Sequence, residues 1–80
     1  MPRYFLNLRY RTGPEGLAVD EEGDELPDPE ALREYAVETA RDLMSKVRID
    51  AIRDWTSCTF EVTDEAGQRV LTLPFAEVTA

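Results

Sequence analysis

D-P-E-A-L-R-E-Y-A-V-E-T-A-R-D-L-M-S-K-V, Asp28 to Val47, is the stretch on which the fold turns. Leu32, Tyr35, Ala36, Thr39, Ala40, Leu43 and Val47 recur at helical spacing and share one arc. Asp28 suits the position before the first turn, where a side-chain oxygen accepts from free backbone N–H groups. Pro29 suits the first helical position, and Glu30 meets the positive end of the helix dipole. Val37 and Met44 are seven residues apart and stack on one flank of the arc. They are read as the edge of the core, with a homodimer contact as the other use of that flank. Glu38–Arg41 and Asp42–Lys46 are spaced for ion pairs on the wet side, each worth about 0.2–0.5 kcal/mol. The period predicts a helix from Pro29 to about Arg48. Ile49 and Ile52 fall out of phase, which predicts a break, then a short turn of helix or an irregular link up to Trp55. Trp55 is expected to close one end of the core.

On both sides of the helix the period changes to two. Downstream, Ser57 to Thr63 alternate with Cys58, Phe60 and Val62 inward. Asp64-Glu65-Ala66-Gly67 is a turn, in which Gly67 can take the left-handed conformation. Gln68 to Phe75 is the returning strand. A four-residue loop pairs Phe60 with Leu71 and sets Leu71, Leu73 and Phe75 in the core. A three-residue loop would bury Val70 and Thr72 instead, so burial favours the former. Pro74 has no N–H and marks an edge or the strand's end.

Upstream, Tyr4, Leu6, Leu8 and Tyr10 fall on one face of a strand, and Arg3, Phe5, Asn7 and Arg9 on the other. Thr12 to Gly16, with two glycines and a proline, is a turn. Leu17 to Asp20 is a short return strand with Leu17 and Val19 inward. The order is β-β-α-β-β. One helix can cover only one face of a sheet. The prediction is therefore an α+β, two-layer fold, an antiparallel four-stranded sheet covered on one face by one helix. The 80 residues make a single domain. A chain this short buries only about 60% of its unfolded surface, so the core is small and a dimer would add to it.

Between the first hairpin and the helix lies D-E-E-G-D-E-L-P-D-P-E, Asp20 to Glu30, in which seven of eleven residues are carboxylates. A calcium loop of the EF-hand type wants acids at positions 1, 3 and 5, glycine at 6 and glutamate at 12. Counting from Asp20, glycine comes at position 4 and Glu25 at position 6, so the pattern fails. The plainer reading has Gly23 turn the chain, Leu26 plug the core and Asp28 cap the helix. Asp20, Glu21, Glu22, Asp24 and Glu25 are left as a candidate acidic contact surface for a basic partner.

Arg3, Phe5, Asn7, Arg9 and Arg11 share one parity. Arg3, Phe5 and Arg9 are the second candidate contact, because basic and aromatic groups in a row on an open sheet can hold single-stranded nucleic acid. Against this, the signature aromatics of such sheets are missing, and pairing with a carboxylate such as Glu61 explains an outward arginine. The formal net charge of −8, from 17 acidic and 9 basic residues, also repels phosphate. An exposed Phe5 with Val70 would be a rival dimer patch.

Cys58 has inward parity and reads as a small buried hydrophobe. The chain has no histidine, which removes Ser-His-Asp chemistry and most zinc and iron sites. No phosphate-cradling glycine loop is present. A carboxylate pair of the glycosidase type is not excluded by spacing, although nothing sets one in a cleft. No catalytic residue, metal or cofactor is expected. One cysteine allows no internal disulfide, no apolar run approaches the ~20 residues of a membrane span, and the first residues alternate unlike a signal peptide. These point to the cytoplasm.

M-P-R-Y-F-L-N-L at the start, D-E-E-G-D-E-L-P-D-P-E-A-L in the middle and F-E-V-T-D-E-A-G-Q-R-V-L-T-L-P-F near the end resemble the small bacterial proteins grouped as domain of unknown function 6894. The three motifs follow in the same order over nearly the whole chain. The resemblance implies a short stand-alone bacterial protein and supplies no catalytic residues. Arg48 to Asp54 departs from it by lacking a glycine after the helix. A more distant likeness, at the level of fold alone, is to the N-terminal half of HicB-type antitoxins. The expected function is a non-enzymatic protein-interaction or regulatory module. The expected partner is a protein, with a homodimer as one form of it. An antitoxin-like regulator that touches nucleic acid or a basic toxin comes second, and a small carboxylate enzyme last.

Overall fold

The computed structural model describes residues 2–46 and 55–78. The first strand, β1 (Arg3–Arg9), lies beside β4 (Thr59–Thr63), and β4 beside β5 (Arg69–Pro74), all antiparallel. The free side of β1 is shared by two short segments. β2 (Leu17–Ala18) pairs with Leu8 and Arg9, and β3 (Asp24–Glu25) pairs with Arg3 and Tyr4. The predicted α+β class and open antiparallel sheet are observed. The acidic stretch adds a fifth strand, β3, where a loop was expected.

The main helix, α1 (Pro29–Lys46), starts where predicted. Asp28 Oδ1 accepts from the Ala31 N–H at 2.8 Å, and the Asp28 carbonyl accepts from Leu32. Leu32, Ala36 and Ala40 are its buried residues. Two alanines let the helix lie close to the sheet. Of the two expected ion pairs, Asp42–Lys46 forms at 3.5 Å, and no Glu38–Arg41 pair occurs among the described residues. Val47, the predicted helix end near Arg48 and the link up to Asp54 lie outside the described residues.

The core joins Leu6, Leu32, Ala36, Ala40, Cys58, Phe60, Val62, Leu73, Phe75 and Val78. Full burial of Phe75, Leu73 and Val62 contributes about 1.5–3 kcal/mol each. Trp55 stacks on Phe75 with ring centroids 5.9 Å apart, and Phe60 meets Phe75 edge-on at 4.9 Å. Trp55 thus closes one end of the core, as expected.

Three expectations are corrected. First, Phe60 pairs with Leu73, not Leu71, and Val62 pairs with Leu71. The slip of two has two parts: the loop between Thr63 and Arg69 has five residues in place of four, and Val70 is a one-residue bulge between the Thr63–Arg69 and Val62–Leu71 pairs. Asp64 Oδ1 accepts from both Ala66 and Gln68 N–H, at 2.9 Å each. The inward faces are still Leu71, Leu73 and Phe75, since a slip of two preserves parity. Second, Phe75 lies beyond the strand: Pro74 marks the end of β5, as expected, and Phe75 begins a short helix, α2 (Phe75–Val78), that buries Val78. Third, Val19 is 63% exposed. Ala18 pairs with Leu8 and Leu17 with Arg9, so Ala18 takes the inner parity and Leu17 the outer.

Candidate functional site

The acidic loop is built around Asp20. Its Oδ2 accepts from the Leu6 N–H at 3.1 Å, and its Oδ1 accepts from Glu22 and Gly23 N–H at 3.2 and 3.1 Å. Its own N–H donates to Asn7 Oδ1 at 3.0 Å. The free side of β1 thus carries β2 at one end, β3 at the other and a carboxylate in between. Asp20 satisfies the β1 N–H that the interrupted edge strand cannot reach. Gly23 has φ 73°, and a Cβ there would stand 2.8 Å from the Phe5 ring and 2.9 Å from the Tyr4 carbonyl. Glycine is required by both conformation and space.

Strand parity then divides the loop's side chains. Glu25 faces Arg3 across the ladder, and its Oε1 lies 2.8 Å from Arg3 Nη2. Asp24 faces Tyr4 and projects to the helix side, beside Tyr35. Burial first, and then the Asp24 carboxylate through hydrogen bonding and charge, raises the Tyr35 phenol above its ordinary value of 10.0. Glu21 and Glu22 are exposed.

The outer face is less open than a row of arginines suggests. Arg9 Nε lies 3.0 Å from Glu61 Oε2, and its guanidinium also donates to the Gly13 carbonyl. Arg69 reaches Glu61 at 3.7 Å. The Arg9 hydrogen bond, the largest influence, holds the Glu61 carboxyl below its ordinary value of 4.5, against a smaller opposing effect of burial. Arg3 binds Glu25 and donates to the Glu22 carbonyl at 2.8 Å. Phe5 lies half-buried beneath Gly23. Asn7 is only 6% exposed and donates from Nδ2 to the Glu61 carbonyl and the Thr63 hydroxyl. Val37 and Met44 are partly buried and pack against the core.

A groove of about 290 Å³ opens between α1 and the β1–β2 edge. Leu6, Leu8, Leu43 and Phe60 form its floor and walls, and Asp20 and Asp24 stand at its rim beside Tyr35 and Thr39. It exists because α1 approaches β5 and α2 most closely. The β1–β2 side of the sheet's apolar face is therefore left only partly roofed. Asp20 and Asp24 were singled out in the sequence, but their meeting with the leucines was not. Inward parity for Asp24 follows only once β3 is known to be a strand.

Among the described residues, no three Cys, Asp or Glu side chains converge as a metal-binding group. No helix among them is long and apolar enough to cross a membrane.

Fold and site together define a small open-faced α+β module with an acidic edge. The chain belongs to the family described as Domain of unknown function (DUF6894), whose model matches residues 3–76. No curated protein and no solved structure matches it.

Proposed function

We propose that this chain is a non-enzymatic protein-interaction or regulatory module of a bacterial cytoplasm that engages a partner through the groove between the acidic loop and α1. The observation that carries this reading is the groove itself, an apolar floor left open beside carboxylates. The half-buried Leu8 and Leu43 and the exposed Val19 keep apolar surface wet at a cost of about 25 cal/mol per Å², which a docked side chain would recover. Support for recognition through the outer face is weaker. Arg3 and Arg9 spend their guanidinium groups on Glu25, Glu61 and backbone carbonyls, which leaves little positive charge for a phosphate backbone.

The test is capture of a partner from the native host by three forms of the chain. Leu43→Glu places a charge in the groove at a half-buried position. Val70→Glu changes the outer face instead. The groove reading expects the partner to be kept by wild type and Val70→Glu and lost by Leu43→Glu, with unchanged circular dichroism. The opposite pattern would move the site to the outer face.

A further inference from the structure

We infer that the groove takes a cationic amphipathic segment of a partner protein, with an apolar side chain on the leucine floor and a lysine or arginine against the Asp20–Asp24 rim. This rests on the groove reading above and names the partner's chemistry. Charge complementarity selects the occupant. No basic residue lines the groove. Glu25, Glu61 and Asp42 each have a cationic partner, whereas Asp20, Glu21, Glu22 and Asp24 form no ion pair among the described residues. The charge is also held in place. Asp20 is fixed by three backbone donors, and Asp24 is carried on a paired strand. A cation docking there meets carboxylates that need no rearrangement, which lowers the ordering cost of binding.

The same features disfavour two other occupants. A second copy would bring another acidic loop of the same chain, with its net charge of −8, against the first. A strand adding to the sheet finds both edges guarded. On one side β2 and β3 are two residues each and are separated by the carboxylate. On the other, Pro74 lacks an N–H, and Val70 has no partner between the Val62–Leu71 and Thr63–Arg69 pairs, a one-residue bulge.

The experiment titrates the isotope-labelled full chain with three synthetic peptides of equal length, made of Leu and Lys, of Leu and Glu, and of Ser and Lys. Chemical shifts locate the binding. The Leu/Lys peptide is expected to move the amides of Leu6, Leu8, Ala18, Thr39 and Leu43. Its affinity should fall about tenfold between about 50 and 300 mM salt, and similarly with Glu21→Gln, Glu22→Gln and Asp24→Asn combined. The other two peptides should leave those amides in place. Equal binding of Leu/Glu overturns the basic partner while leaving the groove reading intact. Equal binding of Ser/Lys reduces the effect to general charge attraction and overturns the inference. So do shifts confined to another face, or groove amides that move with protein concentration alone, which would assign the groove to a second copy. If no peptide moves the groove, the inference falls, and the Leu43→Glu capture decides the broader reading separately.

Discussion

Asp20 is one carboxylate with three backbone donors on it. Charge-assisted hydrogen bonds of this kind contribute about 1.5–3 kcal/mol, and a buried donor left alone costs a similar amount. Asp20→Ala should therefore destabilise the fold by about 2–3 kcal/mol in chemical denaturation, with Asp20→Asn losing less because one carbonyl oxygen remains. Glu21→Ala, at an exposed position, should stay within about 0.5 kcal/mol of wild type. Glu61 offers a pH test. Its carboxyl titrates below its ordinary value of 4.5 because Arg9 binds the charged form. The stability it contributes is present above 4.5 and lost as pH falls through the lower folded value. Acid titration of unfolding should show that loss in wild type and less of it in Glu61→Gln. The two roles differ in how far the sequence shows them. Asp20 looks like any surface acid until the backbone N–H of Leu6, fourteen positions away, is brought to it. Glu61 was legible as a partner for an arginine because strand alternation already put both on one face.

At the scale of elements, legibility follows length. The helix carries its period through 18 residues and its own start signal, so Asp28, Leu32, Ala36 and Ala40 could be placed from spacing alone. Asp28→Ala should lower stability by about 1 kcal/mol, visible as a lower melting temperature. A two-residue strand has no period to read. That is why β3 reads as loop in the sequence and why alternation alone puts Leu17 and Val19 on the inner face. The second hairpin shows a different limit. Alternation detects a slip of one residue and is blind to a slip of two, so the inward residues were right while the pairing of Phe60 was not. The five-residue loop, in which Asp64 binds two N–H groups, and the bulge at Val70 together set the register. Gly23→Ala should test how tightly the acidic loop is seated. With φ positive and the Tyr4 carbonyl 2.9 Å from the new Cβ, a cost of about 1–3 kcal/mol is expected, measured by thermal or chemical unfolding. A neutral outcome would mean the loop is free to move off β1.

For the whole molecule, charge and size work together. A net charge of −8 on 80 residues repels itself in the compact state. Raising salt from about 10 to 150 mM, where the screening length falls to about 8 Å, should therefore raise the melting temperature by a few degrees. A fall would mean that the Arg3–Glu25 and Arg9–Glu61 pairs outweigh the repulsion. The sequence by itself determined the local periods, the helix cap, the inward faces of the helix and the longer strands, and the excess of acid, because each depends on neighbours a few positions apart. The tertiary structure decided which edge strands pair with β1, how the hairpin is registered, that the arginines are spent within the sheet, and that Asp24 meets Leu6, Leu8 and Leu43 at a groove. Those depend on where an off-centre helix and a folded-back loop come to rest against one strand, and no local pattern encodes that placement.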